Sequence, residues 1–237
     1  MAVAIGRENF FWHKLHSLTG IIPVGFYVFQ HLALNSFSLA GPDKYNGVSG
    51  FFYSMPEYLL WTIEIVVIYL PLLFHAIYGL FIVGRSQSNY FTTRYKWSQN
   101  GMYTFQRWSG IYIFLFLIWH VSWTTVQVKL HGPQSVSFYA MRDQLSMYNY
   151  GMLVIYALGV LTAAYHLSYG VWNFCIRWGI TVSDRSQIAV QKFSFGMFVV
   201  VTLIGWLALA GFFTKHDDNQ TFSASVIQST HRALPRV

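Results

Sequence analysis

Five apolar runs, each long enough to cross the hydrocarbon of a bilayer, leave this chain few ways to fold. They cover roughly residues 15–37, 58–84, 108–128, 148–176 and 193–213 and are separated by short polar stretches. Lipid offers backbone N–H and C=O groups no partners, so runs of this kind must be helices. The expected fold is all-α and polytopic: five transmembrane helices in one membrane domain, residues 1–213, followed by a polar tail, 214–237. No small-residue cleavage signature follows the first run, so it is expected to stay in the protein.

Composition agrees and narrows the function. Of 237 residues 54% are hydrophobic and only 10% charged, which excludes an ordinary soluble domain. The net charge of +7 lies in short loops and forms no stripe, so nucleic acid is not an expected partner; membrane lipid is. Nine of the fifteen basic residues (Arg7, Lys14, Arg85, Arg94, Lys96, Arg107, Arg177, Arg185 and Lys192) fall on the side shared by the amino terminus and the second and fourth loops. The positive-inside rule makes that side cytoplasmic and puts the tail outside. Cys175 is the single cysteine, which rules out an intrachain disulfide and the C-x-x-C-H attachment of a c-type haem.

Four of the runs carry one deep histidine each: His31, His75, His120 and His166. One membrane histidine is as readily a hydrogen-bonding residue between helices as a ligand. Four, one per helix, point instead to two bis-imidazole haem sites in a four-helix bundle, with the fifth helix peripheral. His31 and His120 come late in outward-running helices, His75 and His166 late in inward-running ones. Depth therefore pairs His31 with His120 in the outer half and His75 with His166 in the inner half. An internal repeat supports the pairing: Phe74-His75-Ala76-Ile77-Tyr78-Gly79 returns as Tyr165-His166-Leu167-Ser168-Tyr169-Gly170, and Arg85-Ser86-Gln87 as Arg185-Ser186-Gln187. Such repeats imply sites related by a pseudo-twofold axis.

Small residues stand where a porphyrin would need room. Gly79 and Gly170 lie one turn after their histidines, and Gly20 and Ser109 lie eleven residues before His31 and His120, on the same face and roughly 16 Å further in, at the level of the inner pair. His16, Ser17, Arg85 and Arg107 sit at the inner boundary, where haem propionates want donors. His13, His131, His216 and His231 fall at interfaces or in loops and are expected to be solvated. Glu64, eleven residues before His75, falls at the depth of the outer pair, where an acid either moves protons or sits near headgroups. Trp61, Trp123 and Asn35 are expected near that outer end.

The chain resembles a known family, the single-subunit, two-haem cytochrome b membrane anchors of succinate dehydrogenases and fumarate reductases. The likeness is carried by His16-Ser17-Leu18, by Gly20-Ile21-Ile22-Pro23-Val24-Gly25 leading to Gln30-His31-Leu32, and by Leu70-Pro71-Leu72 with the first of the repeated stretches. Phe105-Gln106-Arg107 leading to Trp119-His120-Val121 and Trp178-Gly179-Ile180-Thr181-Val182 complete it. The resemblance implies two haems b on His31, His75, His120 and His166. It implies, too, a flavoprotein with FAD and an iron–sulfur protein on the cytoplasmic face, in the inner membrane of a prokaryote, with electrons passing from the clusters through the haems to a quinone, menaquinone in the first instance. Glu64 would then handle protons beside the outer haem, a site at the inner face near Ser17 and Arg107 being the other candidate. Some menaquinol-oxidising fumarate reductases carry a glutamate two residues before the fourth ligand; that place here is Ala164, which favours succinate oxidation. The alternatives are an ascorbate-reducible transmembrane cytochrome b and a haem-free transporter.

Overall fold

A computed structural model describes residues 7–86 and 98–215. The expected tail beyond Lys215, and Arg94 and Lys96 of the basic loop, lie outside the described residues. Among the described residues every regular element is helical, and five helices are long and apolar enough to cross a membrane.

The first crossing is two helices, α1 (Arg7–Ile21) and α2 (Val24–Asn35), parted at Pro23, which has no N–H for the helical ladder. The second begins as α4 (Glu57–Thr62), widens to a π-helix over Ile63–Tyr69 and continues as α5 (Leu70–Arg85). The widening ends just before Pro71, whose ring would collide with the carbonyl of residue 67 in a regular helix. The third is α6 (Ser98–Trp123), extended by α7 (Thr125–His131) after a break at Thr124. The fourth lies in α8 (Phe138–Arg177), which leaves helical geometry at Met147–Tyr150. The fifth is α9 (Asp184–Gly211).

Three sequence expectations are corrected. The stretch expected only to separate the first two runs folds largely as α3 (Pro42–Tyr53), with Pro42 and Asp43 suited to its first turn. Helix three begins at Ser98, ten residues before the expected start, so Gln106 and Arg107 are helical. Helix five begins at Asp184 rather than 193 because Ser183 and Ser186 form a capping box, each side chain bonding the other's backbone.

The most enclosed apolar cluster, Tyr45, Phe138, Met141, Leu145, Tyr156 and Phe212, lies where α3 and the first part of α8 cover one end of the bundle, hereafter the distal end. Asn46 Oδ1 accepts from Phe138 N at 2.9 Å and ties those elements together. The opposite end carries Arg107 and Arg177 and is the basic end. Helix α9 lies along α8, with Trp206 Nε1 donating to Ala157 O at 3.0 Å, and meets the end of the first crossing through Ser38 Oγ and Ala208 O at 2.6 Å. The crossings that bear histidines are thereby left to face one another.

Candidate cofactor site

Two pairs of imidazoles stand inside the bundle, one toward each end. Toward the basic end, His75 of α5 and His166 of α8 face each other with ring centroids 6.2 Å apart and planes at 89°. Toward the distal end, His31 of α2 and His120 of α6 are 5.9 Å apart at 80°. These are the partners that depth along the helices assigns. An imidazole nitrogen binds a metal ion at about 2 Å, so two rings on opposite sides of one ion have centroids about 6 Å apart. Among the described residues no three His, Cys, Asp or Glu side chains group as a metal site, so what the bundle offers is two nitrogens per centre.

Hydrogen bonds set which nitrogen is free in the basic-end pair. His75 Nδ1 donates to His16 O at 2.9 Å, and His166 Nδ1 to Gln106 O at 3.2 Å, with Ser109 Oγ also within 3.0 Å. A carbonyl can only accept, so the proton is on Nδ1 and each Nε2 keeps its lone pair. This is the support expected of a metal-binding histidine. The distal pair is held differently. Tyr27 stacks on His31 at 5.6 Å and Phe116 on His120 at 5.6 Å. Asn35 Nδ2 donates to His31 O at 2.8 Å. His120 Nδ1 is buried with no hydrogen-bond partner.

A cavity of ≈ 290 Å³ opens around the basic-end pair, walled by apolar residues and by Gly20, Gly79, Gly110 and Gly170, with His16, Ser17, Gln106, Arg107, Asn173 and Arg177 supplying its polar groups. Glycines permit close approach at two points. A Cβ on Gly20 would fall on the His75 ring, and one on Gly110 would stand 3.1 Å from His166 Cε1. Both cradle the flanks of histidines, a closer role than the room for a porphyrin expected of Gly20. The buried, unpartnered His16 Nδ1, the half-buried imidazoles and this donor-rich, glycine-walled space fit a flat, anionic, iron-bearing group such as haem.

No family model matches the chain. It is similar to the succinate dehydrogenase cytochrome b558 subunit of Bacillus subtilis (strain 168), with 36% identity over 207 residues that make up 87% of this chain and 98% of that protein. The chain belongs to the succinate dehydrogenase cytochrome b subunit family.

In this family member the other expected site residues divide. Ser17 Oγ accepts from Trp178 Nε1 at 3.0 Å, and the Arg107 guanidinium lies 3.9 Å above the Tyr103 ring beside the cavity. Ser109 is a hydrogen-bonding partner of His166 more than a small residue making room. The His16 ring stacks on His75 at 4.1 Å, and the Gly79 Cα leaves space for it. Arg85 is exposed, over Phe81 at 4.8 Å, and is no part of the cavity wall.

Glu64 Oε2 pairs with Lys129 Nζ at 2.9 Å. The Lys129 ammonium also lies 4.3 Å from the Trp61 ring, and Trp61 Nε1 donates to Glu57 at 3.2 Å. Tyr27, Tyr53 and Tyr69 surround this distal cluster. Burial above all, then the charge of Glu64 and the neighbouring Tyr69, holds the Tyr53 phenol above its usual range, so that it remains a donor.

Sequence reasoning gave no role in the site to Lys129, Gln106, Gly110, Tyr27 and Arg177. Gln106 and Gly110 were within reach, since they flank Ser109 at helical spacing once the helix is extended to Ser98. Lys129 had no such signal, because its meeting with Glu64 depends on the break at Thr124.

Proposed function

We propose that this chain is the membrane anchor of a succinate:quinone oxidoreductase, holding two haems b and delivering electrons to a quinone. When bound, the haems supply a one-electron relay between the iron–sulfur partner and the quinone. The observation that carries the proposal is the pair of facing, near-perpendicular imidazole pairs, 6.2 and 5.9 Å between centroids, a separation at which each pair of histidines would hold one haem iron.

The roles of the chain's own residues follow from their places. His75 and His166 present Nε2 toward the basic-end centre because backbone carbonyls hold their Nδ1 protons. His31 and His120 form the distal centre, kept in place by Tyr27, Phe116 and Asn35. Gly20, Gly79, Gly110 and Gly170 keep side chains out of the basic-end cavity, and Ser109 fixes His166 from helix three. His16, Ser17, Arg107 and Arg177 gather donors and positive charge at its mouth for carboxylates. Arg85 serves the basic surface rather than the cavity.

The basic end faces the cytoplasm and receives the iron–sulfur protein, which in turn carries a flavoprotein with FAD. The membrane is the inner membrane of a prokaryote, residues 1–213 act as a single domain within it, and the tail lies outside. Menaquinone is reduced at the distal end beside His31 and His120, with Glu64 passing protons to it. The relative's name, succinate dehydrogenase cytochrome b558 subunit, supports the succinate-linked assignment.

Gentle solubilisation followed by a reduced-minus-oxidised spectrum tests the proposal. Sharp bands of b-type haem at two haems per chain, with a flavoprotein and an iron–sulfur protein copurifying, are expected. A colourless chain, or one that purifies alone with ascorbate-reducible haem, would overturn it.

A further inference from the structure

Glu64 and Lys129 meet at the distal end because two helices depart from regularity there. The π-helical stretch starting at Ile63 widens the second crossing under Glu64, and the break at Thr124 redirects the end of the third so that Lys129 arrives opposite it. Single π-helical turns inside α-helices recur at functional sites. Nζ and Oε2 form an ion pair at 2.9 Å that is not aligned as a hydrogen bond, and a small swing of the flexible lysine stem aligns the proton at a distance over which it can pass. The two side chains differ in exposure, 28% for Lys129 and 17% for Glu64, and Glu64 Oε2 itself is buried, so the lysine is the more accessible member of the pair. Trp61 beneath the ammonium restricts it to this position. The other groups bearing on Glu64 are the phenols of Tyr27 and Tyr53, with Tyr69 and Glu57 close by. Among the described residues Lys129 is the cation paired with it. A partly buried ion pair is a poor way to join two helices, since desolvation offsets much of its attraction and apolar residues of like size hold as well.

We propose that Lys129 is the relay through which protons from water at the distal surface reach Glu64, and through Glu64 a quinone under reduction; this rests on the distal quinone site of the function proposed above. One Nζ–H proton moves to Oε2, leaving an amine and a carboxylic acid. The acid passes that proton to a quinone carbonyl oxygen as the ring takes up an electron derived from succinate, and water reprotonates the amine. Two such cycles, with two electrons, convert quinone to quinol. Lys129 acts through Glu64 and is a positioning and relay residue.

The test uses the assembled complex in membranes. Lys129→Arg keeps a cation within reach of Glu64 and Trp61, but a guanidinium does not release its proton. Quinone-linked kcat is expected to fall about 10²-fold in Lys129→Arg and Lys129→Gln alike, with KM for 2,3-dimethyl-1,4-naphthoquinone unchanged. Methylamine should raise the kcat of Lys129→Ala. Haem bands and thermal midpoint should match the parent in Lys129→Arg, and Lys44→Gln, which removes a distal lysine outside the pair, should turn over normally. Parental turnover in Lys129→Arg would overturn the relay and leave the pair a structural tie. Slow Glu64→Gln with parental Lys129→Gln would sink the relay alone, whereas parental turnover in Glu64→Gln would remove the distal quinone site beneath it.

Discussion

Gln106 and His166 bond each other's backbones: Gln106 Nε2 donates to His166 O at 3.1 Å, and His166 Nδ1 donates to Gln106 O at 3.2 Å. This double tie holds helix three to helix four at the level of the basic-end pair. The carboxamide passes beside Gly170, 3.8 Å from the place a Cβ would take, an ordinary packing distance. Gln106→Leu removes one arm and leaves the His166 carbonyl with only its helical partner, at a cost of about 1–2 kcal/mol. The expected outcome is a lower thermal midpoint and a broadened basic-end haem band with the distal band unchanged, read by low-temperature difference spectroscopy.

Replacement of ligands should separate the two centres. His31→Leu and His120→Leu are expected to lose the same spectral component, and His75→Leu and His166→Leu the other. Loss of one common component from the His31 and His75 variants would mean that the pairs are wrongly drawn.

Gly20 is the most closely approached glycine of the basic-end cavity. Even Gly20→Ala places a methyl on the His75 ring, so either the ring turns off its bond to His16 O or the helices part. Reduced haem content at the basic-end centre is expected, measured as haem per chain. Gly47→Ala is the control: nothing lies within 4 Å of its Cβ, and in helix α3 the change should be neutral or stabilising by up to about 1 kcal/mol.

Orientation is open to labelling. In a Cys175→Ser background, Ser54→Cys on the distal surface should react with an impermeant maleimide added to intact cells, and Val182→Cys, 84% exposed at the basic end, only after the membrane is opened. The reverse pattern would place the basic end outside.

Glu64→Gln preserves size and hydrogen bonding but removes the titratable proton. Quinone-linked turnover is expected to slow by about 10², while succinate oxidation with a dye acceptor and both haem spectra persist. An inhibitor bound only near Ser17 and Arg107 would move the quinone site to the basic end.

What the sequence by itself determined was set by the bilayer. Lipid demands helices of a given length, so five crossings, their alternation and the depth of each histidine were legible, and with them the pairs His31–His120 and His75–His166. Helix termini beyond the hydrocarbon were less so, because water satisfies the backbone there and local caps decide, as Ser183 and Ser186 do for the fifth helix. Only the tertiary structure decided which groups hold the imidazoles: His16 O, Gln106 O and Ser109 Oγ come from other crossings, and their approach depends on how each helix is rotated about its axis. The same is true of Glu64. Counting residues at 3.6 per turn carries its face as far as a regular helix extends, but the π-helical stretch and the turn at Thr124 change the rotation of both helices, and only packing brings Lys129 to it.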